Sequence, residues 1–138
     1  MTSGRYTALR KIISKIGHKI HDYGVLVMFS HTIFSLSFAL ISMLLASHGR
    51  PSLETVFWIL VAFLGARTGA NAINRVIDAE IDGKNPRTAM RQIPSGLIQK
   101  KEVILFTVIC FIVMVWGAAM LNPICVILSP VAIFLMTI

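Results

Sequence analysis

Arg67, Asn71, Asn74, Asp78 and Asp82 recur along one stretch of an otherwise apolar chain. Their offsets of four, three, four and four put them on a single stripe of an α-helix, which turns about 100° per residue. Within the stripe, Asn74, Asp78 and Asp82 present a carboxamide and two carboxylates at successive turns, which is a donor set for a hard cation. Mg²⁺ takes one or two carboxylates and leaves its other positions to water and substrate phosphates. Lys84, Arg87 and Arg91 follow immediately, and their cationic donors suit a diphosphate. The chemistry these residues suggest is neutralisation of a diphosphate by a metal ion and by fixed cations, with Asp78 and Asp82 the catalytic carboxylates.

The elements that must carry this stripe are apolar. Of 138 residues, 56% are hydrophobic and 14% charged, against about 45–50% and 25% in soluble chains. Lipid is the solvent this composition fits. From Thr7 to Ile20, Leu9, Ile12, Ile13, Ile16 and Ile20 recur at helical spacing among Arg10, Lys11, Lys15 and Lys19, as in a basic amphipathic helix on a membrane surface. Gly24 to Ser47 contains no Asp, Glu, Lys or Arg and is read as a first span. A turn at His48 to Pro51 follows, with Ser52 as helix cap and Glu54 in the first turn of the next helix. A second span starts near Thr55 and ends in the polar stripe. Asp82 to Lys101 is read as a loop, Val103 to Leu121 as a third span, and Ile124 onward as a fourth apolar segment reaching only about 24 Å at 1.5 Å per residue.

The net charge of +7 does not indicate nucleic acid, because the basic residues are blocked beside apolar spans. Arg5, Arg10, Lys11, Lys15 and Lys19 precede the first span, and Lys84, Arg87, Arg91, Lys100 and Lys101 lie between the second and third. Blocks of this kind mark cytoplasmic segments and contact with anionic lipid. The expected topology has a cytoplasmic N-terminus, with the polar stripe opening on the cytoplasmic side of the inner (plasma) membrane. Inserting Asp or Arg costs about 2.5–3.5 kcal/mol at a helix centre and less near the interface. A solvated helix end explains one such residue; an ordered stripe followed by three cations calls for a function.

Asn74-Arg-Val-Ile-Asp78-Ala-Glu-Ile-Asp82 resembles the first Asn-x-x-x-Asp-x-x-x-Asp motif of the UbiA family of intramembrane aromatic prenyltransferases. Asn85-Pro-Arg87-Thr88-Ala-Met-Arg91-Gln-Ile-Pro94-Ser95-Gly96 is similar to the loop that follows that motif in the family. The resemblance implies an all-α bundle of about nine spans, with Mg²⁺ and a polyprenyl diphosphate held between two Asp-rich motifs. It also implies transfer of the prenyl chain to an aromatic acid, 4-hydroxybenzoate or a dihydroxynaphthoate, in ubiquinone or menaquinone biosynthesis. Met90 and Gln92 stand where the ubiquinone-type loop usually has Asn and Pro, a lean toward menaquinone-type relatives. Only the first motif is present. The expectation is an interfacial helix over residues 1–22, followed over 23–138 by the N-terminal half of the transmembrane domain, truncated at the C-terminus. Such a fragment would be inactive without the missing half or a second copy.

Other residues carry weaker signals. Arg67 and Asn71, deeper on the stripe, are placed to orient the aromatic acceptor, to brace the aspartates or to form interhelical hydrogen bonds. His31, in the first span, is a candidate acceptor ligand through His31-Thr32-Ile33-Phe34-Ser35-Leu36. Gly65 and Gly69, with Ala62, Ala66 and Ala70, read as close helix packing, and Cys110 and Cys125 as small packing residues. Two other classes compete: a catalytically inactive remnant of a prenyltransferase gene, and a non-enzymatic membrane module such as half a transporter. The second requires polar residues deep in several spans, and the first, third and fourth contain no carboxylate between their flanks.

Overall fold

Six helices follow one another without an intervening strand among the described residues: α1 (Ser3–Leu26), α2 (Phe29–Ala46), α3 (Leu53–Ile77), α4 (Ala79–Lys84), α5 (Lys100–Leu121) and α6 (Pro123–Thr137). This computed structural model describes the backbone of residues 3–26 and 29–138 and the side chains of 13–26 and 32–138. The amphipathic pattern at the N-terminus does form a helix, and it runs beyond Ile20 to Leu26. Gly24 to Leu26 therefore belong to α1 rather than to the first apolar span. The reason is tertiary: Leu26 is 1% exposed in a cluster with Ala72, Val76, Ile98 and Val103, and its carbonyl accepts from Arg75 Nε at 3.4 Å.

Ser52 starts α3 as its sequence position suggests, its hydroxyl accepting from Thr55 N at 3.1 Å, with Glu54 in the first turn. The preceding reversal needs left-handed backbone at His48 (φ 50°) and Gly49 (φ 78°), which glycine adopts without steric cost. Asn122 caps α6 in the same manner as Ser52, its Oδ1 accepting from Ile124 N at 2.9 Å, with Pro123 opening the helix.

The packing centre is the α3–α5 pair, with α6 against both and α2 against α3. On α5, Val103, Thr107, Cys110, Met114 and Gly117 are buried at alternating offsets of four and three, the seam spacing of a helix that follows its partner closely. Small residues set the separation. A Cβ on Gly65 would lie 2.7 Å from Cys110 O and 2.9 Å from Met114 N, and one on Gly117 would lie 2.9 Å from Ala62 N. With so little side chain between them, the backbones themselves touch, as at membrane helix interfaces.

The remaining faces are apolar and open. Helices α3 and α5 are long and apolar enough to cross a membrane, at mean hydropathies of 1.5 and 2.6, while Thr32–Ala46 and α6 are apolar but shorter. Only 22% and 33% of the two long apolar windows is buried, so neither is the core helix of a water-soluble domain. Outward-facing apolar side chains run the length of α5, among them Leu105, Ile109, Ile112 and Trp116. Lipid covers such faces without cost. The four apolar segments expected from the sequence are thus all helical: α3 and α5 are clear spans, and α2 (18 residues) and α6 (15 residues) are the two further apolar helices.

Candidate active site

Helix α3 breaks at Asp78 without losing its register. Asp78 keeps right-handed helical backbone (φ −77°, ψ −8°), its N–H reaches Asn74 O at 2.9 Å, and Asp82 N reaches Asp78 O at 2.8 Å. The four-residue ladder therefore passes through the break, and Asn74, Asp78 and Asp82 remain one turn apart. Asn74 and Asp78 are exposed; Asp82 is 7% exposed.

The loop after α4 is wound from turns rather than extended. Asn85 Oδ1 accepts from Arg87 N at 3.0 Å, Thr88 Oγ1 donates to Asp82 O at 2.9 Å, and Gly96 takes positive φ (77°) where the loop reverses toward α5. Ile98, 2% exposed, pins its end into the Leu26–Ala72–Val76–Val103 cluster. This winding returns Arg91 to Asp82, with Nη1 2.7 Å from Oδ1 and 2.6 Å from Oδ2. The hydrogen bonds from Arg91 hold the Asp82 carboxyl below the usual carboxylate range, against the opposing effect of its burial.

The residues singled out from the sequence are thus distributed unevenly. Arg87 and Arg91 line one cavity of about 370 Å³ together with Arg75, Val25, Met90 and Gln92. Lys84 is exposed at the end of α4 and is not among its lining residues. Arg67 and Asn71 are half-buried farther along α3. Arg67 Nε is buried without a hydrogen-bond partner, as is Thr32 Oγ1 on α2. Both residues lie fourteen positions from their helix ends at the α2–α3 turn, so they stand at similar depth. Buried polar atoms rarely go unpaired. The His31 side chain lies outside the described residues. Arg75 is the residue the motif reading passed over; its signal was its place seven positions before Asp82, on the edge of the same stripe.

For a cation, the donor chemistry fits. Asn74 and Asp78 offer exposed oxygens one turn apart. Each Asp82 oxygen accepts from Arg91 yet has a second lone pair available. Among the described residues no three His, Cys, Asp or Glu side chains converge, so any ion there would rest on two carboxylates, a carboxamide, and oxygens from water or substrate.

Taken together, the all-helical architecture, two outward-apolar spans and a polar motif at the end of α3 define a membrane-embedded helical protein with a charged site at a span terminus. The chain belongs to the UbiA prenyltransferase family, which it matches over residues 35–138. It is 36% identical over 83 residues to a protoheme IX farnesyltransferase of Methylococcus capsulatus, covering 60% of this chain and 27% of that protein. It is 38% identical over 71 residues to a protoheme IX farnesyltransferase of Cutibacterium acnes, covering 51% of this chain and 21% of that protein. A 4-hydroxybenzoate octaprenyltransferase of Vibrio atlanticus is 28% identical over 88 residues, 64% of this chain and 31% of the relative. The chain thus matches between about a fifth and a third of the length of these relatives. No solved structure matches it.

Proposed function

We propose that the chain carries the diphosphate-binding part of an enzyme that transfers a prenyl group from an allylic diphosphate to an aromatic acceptor within the membrane. The observation that carries this reading is the unbroken Asn74–Asp78–Asp82 register, with Arg91 folded back onto Asp82. In this reading Asn74, Asp78 and Asp82 hold Mg²⁺, and Arg87 and Arg91, with Lys84 at the rim, take diphosphate oxygens. A bound Mg²⁺ supplies charge neutralisation as the allylic C–O bond breaks and its electron pair leaves with the diphosphate. An electron-rich carbon of the acceptor then bonds the allylic carbon and loses a proton. The apolar faces of α3 and α5 give the prenyl chain a water-poor surround, which protects the cation from hydrolysis. Arg67, with Asn71 and His31, serves the acceptor; the unpaired Arg67 Nε and Thr32 Oγ1 support a polar group lying at that depth.

For the acceptor, protohaem IX is the first reading, because the farnesyltransferases named above act on it and share more identity with this chain than the 4-hydroxybenzoate enzyme does. 4-Hydroxybenzoate is the second, supported by the Vibrio relative. A dihydroxynaphthoate has only the Met90 and Gln92 departure behind it. Membranes containing this chain together with a co-expressed C-terminal half of the bundle, given radiolabelled farnesyl diphosphate, Mg²⁺ and each acceptor in turn, should label protohaem IX, and Asp78→Ala should abolish the label. Label on 4-hydroxybenzoate alone would select the second reading. Transfer undiminished by Asp78→Ala would refute the site.

A further inference from the structure

Helix α1 is anchored at its end by Leu26, but its residues 13–21 are exposed on every face. Two cross-ties join it to α5: Lys19 Nζ lies 3.4 Å from Glu102 Oε2, and the rings of Tyr23 and Phe106 pack at 4.9 Å between centroids. Between the helices lies a groove of about 390 Å³, lined by Ile16, Lys19, Ile20, Tyr23 and Phe106. Ligand sites span about 300–1,000 Å³, so the groove is large enough to hold one. None of its lining residues belongs to the polar stripe or to the loop that follows it.

Helix α1 brings two chemistries to this groove. Ile16, Ile20 and Tyr23, at offsets of four and three, form an apolar edge, and Lys15 and Lys19, four apart, form a cationic edge beside it. Phe106 lies six residues beyond Lys100, where α5 starts, which is about 9 Å along the axis at 1.5 Å per residue. The apolar face of an interfacial helix sinks about 5–10 Å into a bilayer, and tyrosine is enriched at that level. The groove therefore sits where headgroups meet acyl chains. Lys100 and Lys101 directly precede Glu102, so four lysines on this part of α1 and α5 face the carboxylates of Glu102 and Asp22, a formal surplus of two positive charges. A neutral hydrocarbon would use only the apolar edge. An anionic amphiphile complements both.

We propose that the groove between α1 and α5 seats one anionic phospholipid, with an acyl chain against Ile16, Ile20 and Phe106 and its phosphate at Lys15 and Lys19. The lipid fills the space that the Lys19–Glu102 and Tyr23–Phe106 ties leave open and so fastens α1 to the span. This goes beyond the transferase reading, since it invokes no prenyl diphosphate, no Mg²⁺ and no group transfer.

The full chain in nonionic detergent, titrated separately with dioleoyl phosphatidylglycerol and dioleoyl phosphatidylcholine, tests this by native mass spectrometry of the adducts. Wild type should bind phosphatidylglycerol at least about tenfold more tightly, and the double variant Lys15→Gln, Lys19→Gln should erase that preference. Ile20→Asn should weaken phosphatidylglycerol binding at least about threefold through lost apolar contact. Leu45→Asn, on α2 and similarly exposed (74% against 68% for Ile20), should leave it unchanged. All four positions are exposed, so helical circular dichroism should match wild type in every variant. Equal affinity of wild type for the two lipids, or a preference that survives the double lysine variant, would overturn the proposal. Equal weakening by Ile20→Asn and Leu45→Asn, the mark of an unspecific lipid shell, would also overturn it. So would displacement of phosphatidylglycerol by farnesyl diphosphate, which assigns the groove to a prenyl chain, or a lipid-free dimer that Ile20→Asn dissociates, which assigns it to a second copy.

Discussion

Asp82 exchanges water for two hydrogen bonds from Arg91, and that exchange has a pH signature. Its folded carboxyl sits below the ordinary value of about 3.9, so the pair contributes fully above that value. The contribution is lost as the pH falls through the depressed folded value. The thermal midpoint in detergent should therefore decline below about pH 4, and Asp82→Asn should flatten that decline. At pH 7, Arg91→Ala should cost about 2–3 kcal/mol by leaving a nearly buried carboxylate unpaired, a figure reduced because Arg91 is itself a third exposed. Thermal unfolding across pH in wild type and both variants checks this. The identity of the stripe was readable from offsets alone, because helical register converts spacing into direction. The Asp82–Arg91 pair was not, because it depends on how the turns at Asn85, Thr88 and Gly96 wind the loop, and spacing does not specify winding. Arg75 escaped notice for a related reason: the chemistry it shares with Arg87 and Arg91 arises only once the loop returns to α3.

The start of α3 was legible because a cap wrote it, at Ser52, whereas the capping role of Asn122 at α6 came only with the structure. The end of α1 was not legible, because Leu26 is held by tertiary contacts with α3 and α5 rather than by a local stop signal. The close approach of α3 and α5 followed from Gly65 and Gly69, whereas the matching role of Gly117 needed the partner helix in place. Replacing Gly65 by Ala puts a methyl carbon 2.7 Å from Cys110 O, a backbone atom that cannot move alone, so the helices must separate. The expected loss is about 1–3 kcal/mol, read as a lower thermal midpoint in detergent. Gly17→Ala is the control, since a Cβ there meets nothing within 4 Å and a helix interior gains about 0.5–1 kcal/mol from the change. A Gly65→Ala midpoint equal to wild type would contradict the packing account.

In the whole molecule, the basic segments predict that α1 and the Asn85 loop share one side of the bilayer and that the His48–Gly49 turn lies on the other. A cysteine introduced near Gly49 should be labelled from outside intact cells, and one near Asn85 only after access to the cytoplasm; the reverse pattern would detach the polar stripe from a cytoplasmic diphosphate. The all-helical membrane class was legible in composition, because lipid leaves apolar faces uncovered and the sequence must show it. The acceptor was not, because the residues that would touch it are a few polar groups whose partners the sequence does not name. The central claim concerns the donor end, that Asn74, Asp78 and Asp82 hold a prenyl diphosphate through Mg²⁺. Calorimetric titration of the chain with a non-hydrolysable farnesyl thiodiphosphate, with and without Mg²⁺, tests it most directly. Binding should strengthen at least about tenfold with Mg²⁺ in wild type, the scale of one charge-assisted contact, and lose that increment in Asp78→Ala. Equal affinity with and without Mg²⁺, or an increment that survives Asp78→Ala, would contradict it.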